Sequence, residues 1–175
     1  MSKPDVNAKS ARFVMWMVVA TVVVIADQFT KWAIIEWVPL YDKVPLNSFL
    51  NITHQKNPGA AWSFLADAGG WQRWFFVTLS SIVSVVIAVW LWRIRSEGQT
   101  VLAAGLALVL GGAIGNLIDR IMLGHVTDFI QVMFGSWAFP SFNVADAGIS
   151  VGAAFLIIDA FFFSGKEERA ASQSQ

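Results

Sequence analysis

Residues 111–146 read GGAIGNLIDRIMLGHVTDFIQVMFGSWAFPSFNVAD. Three carboxylates, Asp119, Asp128 and Asp146, stand in this run among Val, Ile, Phe and Ala. An ionisable group at membrane depth costs about 2.5–3.5 kcal/mol on insertion scales, so each is a candidate functional residue. Asn116, Asp119 and Arg120 are spaced i, i+3, i+4 and share one helix face. Asp128 lies within Val126-Thr127-Asp128-Phe129-Ile130. Asp146 follows Phe142-Asn143-Val144-Ala145 and opens the last apolar run. Two carboxylates in a low-dielectric pocket can share one proton. One then acts as base on a water while the other donates to a carbonyl.

The rest of the chain places that stretch in a membrane. Of its 175 residues, 56% are hydrophobic and only 14% charged, against about 25% charged in soluble domains. Mean hydropathy is +0.59. Zero net charge argues against a nucleic-acid partner. Without cysteine there is no disulfide, thiolate zinc site or cysteine nucleophile. Residues 1–175 read as one integral membrane domain of the all-α class, with four transmembrane helices and a small extracytoplasmic sheet.

The helices are expected at about 13–37, 74–92, 100–118 and 145–163. Arg12 before Phe13–Ala26 resembles a signal peptide. No small-x-small cleavage site closes that run, however, and apolarity resumes after Lys31, so an uncleaved first helix is the better reading. Asp27 and Lys31, at i, i+4, are either a salt-bridged pair at the helix end, with Lys31 snorkelling, or part of the site. Residues 38–72 are the long polar loop. Within it Ser48–Gln55 suggests a strand and Asn57-Pro58-Gly59 a turn. Trp62 and Phe64 offer apolar contacts to lipid or serve as interfacial anchors. Residues 120–143 read as a mixed, partly re-entrant connection. Gly111-x3-Gly115 and Gly148-x3-Gly152 suggest close packing of the third helix on the fourth.

Lys3, Lys9, Arg12, Arg93, Arg95, Lys166 and Arg169 fall on one side; Lys43, Lys56, Arg73 and Arg120 fall on the other, over more sequence. This asymmetry places both termini in the cytoplasm. The 38–72 loop and the aspartate-rich connection then share the outer face, where Asn57, Asp128 and Asp146 can meet.

Several chemistries compete for the aspartates. A metal site would use His125, with His54 more distant, but no H-E-x-x-H or local ligand cluster accompanies them. A Ser–Lys dyad would pair Lys31 with Ser63 or another serine that nothing positions. A proton-coupled transporter also uses intramembrane carboxylates, but usually shows internal repeats. Asp119 and Arg120 fit a structural network in which Arg120 pairs an aspartate. Asn143 fits an N-cap, and the helix dipole favours an ionised Asp146. That nominates Asp146 as base and leaves the proton with Asp128. Asp159, near the cytoplasmic end, is read as snorkelling or pairing.

Five blocks carry a resemblance: Asp27-Gln28-Phe29-Thr30-Lys31, Asn57-Pro58-Gly59-Ala60-Ala61, Gly112–Arg120, Val126-Thr127-Asp128-Phe129 and Phe142-Asn143-Val144-Ala145-Asp146. In this order and at four-helix spacing the chain resembles the bacterial lipoprotein signal peptidases (signal peptidase II). It departs at Trp62, where the family more often has Phe. The resemblance implies four transmembrane helices with an outer β-cradle. It also implies a cofactor-free, metal-free aspartyl endopeptidase of the inner membrane that cuts prolipoproteins before a diacylglyceryl-modified cysteine. Asp128 and Asp146 would be the catalytic pair. Asn57, Gly59, Asn116, Arg120, Asn143, Ala145, Asp27 and Lys31 would line or hold the site, with Asp119 supporting it. Implied partners are prolipoproteins, membrane lipids and globomycin-type inhibitors.

Overall fold

The computed structural model describes residues 6–59, 71–96 and 99–163. Trp62, Ser63, Phe64 and the basic residues Lys166 and Arg169 lie outside them. Four helices carry enough apolar length to cross a bilayer: α1 (Val6–Trp37), α2 (Trp71–Ile94), α3 (Thr100–Met122) and α4 (Val144–Phe162). Four antiparallel strands, β1 (Lys43–Pro45), β2 (Leu50–Asn57), β3 (Val126–Phe134) and β4 (Trp137–Ala138), form one sheet in the order β1-β2-β3-β4.

The most enclosed helix is α3, which packs against each of the other three. Its alanines and glycines make this possible, because without large side chains the backbones approach closely. A Cβ at Gly105 would come within 2.9 Å of the Gly152 carbonyl oxygen, and one at Gly112 would strike Ala145. Gly105 and Gly112 are one heptad apart, as are Gly152 and Ala145, so α3 and α4 meet in antiparallel register. The expected glycine pairs divide differently. Gly111 faces Ala20 and Val23 of α1; Gly115 lies between Asp27 of α1 and Ala145 of α4, and Gly148 between Val23 of α1 and the Leu108 carbonyl of α3, while Gly152 faces α3 as expected.

The two ends of the bundle differ in kind. At one end Ala20, Leu91, Ile94, Ala103 and Leu106 form an apolar core, with Phe13 of α1 edge-on to Trp92 of α2 (5.1 Å). At the other end a buried polar network joins the end of α1, the end of α3 and the start of α4, and the sheet sits there.

Three sequence expectations change. Helix α1 begins at Val6 and α3 runs on to Met122, since apolar windows locate the membrane crossing rather than the helix ends. The expected strand at Ser48–Gln55 is found at Leu50–Asn57. The 120–143 connection is largely sheet: β3 pairs with β2 from Leu50↔Val132 to Asn57↔Val126. That pairing joins residues 69 to 82 positions apart, which local pattern cannot reveal.

Candidate active site

The foundation is Lys31. Its ammonium reaches Asp27 Oδ2 (2.8 Å), Asp119 Oδ2 (3.0 Å) and Asn116 Oδ1 (3.0 Å). Three N–H donors thus meet three acceptors. Lys31 and both aspartates are buried, so Lys31 does not snorkel. A buried cation of this kind persists only when paired and fully hydrogen-bonded. Gln28 adds a bond to Asp119 Oδ1 (2.9 Å) and one to the Gly115 carbonyl (3.1 Å).

Each foundation aspartate uses a carboxylate oxygen to hold backbone. Asp27 Oδ1 accepts the Ala145 N–H (2.9 Å). Asp119 Oδ2 accepts the Thr127 N–H (3.0 Å). Ala145 immediately precedes Asp146, and Thr127 immediately precedes Asp128. The lower pair of aspartates therefore fixes the backbone that presents the upper pair.

Three asparagines then surround Asp128 and Asp146, and chemistry sets the orientation of each amide. Asn116 turns its oxygen to Lys31, which can only donate, so its Nδ2 donates to Asp146 Oδ1 (2.8 Å). Asn143 accepts the Asp146 N–H on its oxygen (2.9 Å), so its Nδ2 donates to Asp128 Oδ1 (2.7 Å). Asn57 accepts the Gly59 N–H (2.9 Å), so its Nδ2 donates to Asp128 Oδ2 (2.9 Å). A carboxylate or a backbone N–H leaves no choice of flip here. Gly59 takes φ +103°, open to glycine alone at no cost, and a Cβ there would meet the Phe76 ring at 2.5 Å.

Asn143 is also the N-cap of α4, in a capping box completed by Asp146. Capping and site assembly are one arrangement, because the cap holds Asp146 beside the amide that binds Asp128. Asp128 is buried, and burial pushes its carboxyl up to about 6. The nearby Asp146 charge raises it further, against the Asn57 and Asn143 bonds.

Arg120 departs from expectation. Asp119 pairs with Lys31, and among the described residues Arg120 has no carboxylate within 4.0 Å. It donates to the Asn116 carbonyl (3.3 Å), and its guanidinium lies 5.0 Å from the Phe76 ring centroid. Its charge acts on Asp146, Asp128 and Asp119 together. An Arg one residue beyond Asp119 on α3 points about 100° away from it. Sequence reading missed Gln28 and Arg73. Arg73 caps the end of α3 through the Arg120 (2.8 Å) and Ile121 (2.7 Å) carbonyls. Its position at the start of another helix left no local signal.

Among the described residues, no three His, Asp or Glu side chains converge as metal ligands. His125 is pushed below the usual imidazole range by burial and by the Lys56 charge. His54 bonds the Val38 carbonyl (2.7 Å), tying β2 to the end of α1. Asp159 is buried in the last turns of α4, with a partner.

A family model for signal peptidase (SPase) II matches residues 19–162. The chain belongs to the signal peptidase II family. It is 45% identical over 165 residues to a lipoprotein signal peptidase of Acinetobacter baumannii, covering 91% of this chain and 93% of the relative. It is also 45% identical over 169 residues to that of Ectopseudomonas mendocina, covering 94% and 99%. A bacterial membrane enzyme solved by the in meso method at 2.3 Å resolution superposes with a TM-score of 0.72 at 30% identity, over 86% of this chain and 92% of that one. The four spans and the sheet thus follow a fold shared with a solved bacterial membrane enzyme. The chain is a multi-pass bacterial membrane peptidase, and the transporter reading finds no support in these relatives.

Proposed function

We propose that the protein removes signal peptides from prolipoproteins as an aspartyl endopeptidase, cutting before a diacylglyceryl-modified cysteine. Asp128 and Asp146 are the catalytic pair in this reading. One observation carries it: Asn57, Asn116 and Asn143 aim their NH2 groups at these two carboxylates and at no others. Three donors converging on two acids suit a pair that shares a single proton and a net charge of about minus one.

The chemistry follows from that division. Ionised Asp146 takes a proton from water as the oxygen attacks the scissile carbonyl, and Asp128 gives its proton to the carbonyl oxygen. The tetrahedral intermediate collapses as its C–N bond breaks. The leaving amine gains the proton held by Asp146, and Asp128 recovers its own. Arg120 favours the negative charge that develops there.

In this reading both termini are cytoplasmic and the sheet end of the bundle faces the outer leaflet of the inner membrane. A lipid-anchored cysteine is then held at the depth of the dyad, which supplies proximity. The test is a purified-protein assay. A diacylglyceryl-modified precursor should be cut and its unmodified form left intact, with or without chelator. Activity lost to chelator and restored by a metal would contradict the aspartyl mechanism. Proton-driven solute uptake without cleavage would support the transporter.

A further inference from the structure

Asp128 does not stand alone on its face of the sheet. Residues directly opposite in an antiparallel ladder share a face, as do alternate residues along a strand. Ile130, Val132 and Phe134 therefore lie on the Asp128 face. Opposite them are Ile52 and Phe142 (both against Ile130), Leu50 (against Val132) and Trp137 (against Phe134). Phe139 joins them, its N–H bonded to the Val132 carbonyl (2.8 Å). The aromatic rings touch in series: Phe134–Trp137 at 5.7 Å, Trp137–Phe139 at 6.0 Å and Phe139–Phe142 at 6.2 Å. From Asp128 to Phe134 this strip is about 20 Å long, at about 3.3 Å per residue.

The strip is open where a sheet in water would be closed. Phe134, Trp137 and Phe139 are 62%, 53% and 42% exposed. The opposite face holds polar pairs, Asn51 with Gln131 (3.3 Å) and Thr53 with Ser141 (3.1 Å), and Asn51 and Thr53 are only 3% and 1% exposed. A one-sided antiparallel sheet normally buries its apolar face. This one buries polar groups beside Phe129, while its apolar track runs from buried Asp128 through half-buried Ile130 and Val132 to an open end at Phe134, Trp137 and Phe139.

We propose that this strip seats an acyl chain of the lipid-modified substrate and so sets the enzyme's preference for long-chain lipid. The inference rests on the peptidase reading above. With the scissile bond held at the dyad, any stretch of an attached chain that runs over the sheet needs apolar cover in place of water. A track continuous with the dyad provides it. An extended peptide suits this face less well. Strand N–H and C=O groups point along the sheet, so a peptide laid across its face would find no backbone partners. A hydrocarbon chain needs none.

The experiment compares two lipopeptides of one sequence, carrying either long or four-carbon acyl chains, cut by wild type and by the Trp137→Ser/Phe139→Ser double variant. The double variant should lose about tenfold or more in kcat/KM on the long-chain lipopeptide and stay within about twofold on the short-chain one. Phe139→Leu should retain the long-chain preference. If the double variant fails to fold, Phe134→Ser at the hairpin tip carries the same comparison. An unchanged long-to-short ratio would overturn the proposal. So would equal losses on both substrates, which would make the strip a general membrane anchor. Wild type that cuts neither lipopeptide would instead overturn the peptidase reading.

Discussion

Asn57, Asn116 and Asn143 are each held by a group that can only donate, so each has only NH2 left to offer Asp128 or Asp146. The one carboxyl of this pair in the sheet, Asp128, sits at about 6, chiefly because it is buried. A raised value means the folded state holds that proton more tightly than the unfolded chain. Asp128 therefore favours folding at low pH, and that contribution is lost as pH rises from about 4 to about 6. If Asp128 must donate its proton, kcat/KM should fall with rising pH through an apparent value near 6. It should decline about tenfold per unit beyond that point. Bound lipid desolvates the site further, so the limb in kcat should lie at higher pH. A kcat/KM flat from pH 5 to 8 would remove Asp128 from the donor role. Asp119 acts differently, through Lys31 and the Thr127 N–H. Asp119→Asn weakens the support of a buried cation, a class of change that costs about 3–5 kcal/mol. Its thermal stability and abundance in detergent should drop more than its specific activity. A fully stable but inactive protein would place Asp119 in the chemistry instead.

At the scale of elements, α3 and α4 meet through glycine at two levels that differ in distance from the site. A Cβ at Gly112 would strike Ala145, next to Asp146. One at Gly152 would lie 2.7 Å from the Gly105 carbonyl oxygen, two turns farther along α4. Either Ala substitution overpacks the seam, at about 1–3 kcal/mol. Only Gly112→Ala should also displace Asp146, so its activity per folded molecule should fall at least about tenfold, while Gly152→Ala should keep most of its activity. Equal effects would show that the seam moves as a rigid whole. The apolar runs announced all four helices, because a span of about 20 residues is written locally. Most of the sheet was hidden: of its four strands only β2 was expected. Val126–Phe134 alternates poorly, and its partner strand precedes two helices. The partner of Asp119 was hidden too: Arg120 is adjacent in sequence, but Lys31 is the residue that α1 brings into the same buried space.

Across the whole molecule, the chain collects its polar residues at one end of an apolar bundle. In the topology proposed above, from the Lys and Arg asymmetry, that end lies outside. The protein has no cysteine, so single cysteines at Ser48 and Ser96 give a clean labelling experiment. An impermeant reagent added to intact cells should label position 48 and spare 96; the reverse pattern would invert the topology. The described parts of the five sequence blocks lie in or beside α1, β2, α3, β3 and α4, and only the fold brings them together, which is why residue types and order were legible but their bonds were not. The central claim is that Asp128 and Asp146 perform one reaction as a unit. The most direct measurement is specific cleavage of a lipidated precursor per folded molecule for Asp128→Asn, Asp146→Asn and the double variant. All three should be correctly folded and slower by several orders of magnitude, with the double variant little worse than either single, because groups acting together are not additive. Either single variant retaining more than about a tenth of wild-type activity, under about 1.4 kcal/mol of barrier, would contradict it.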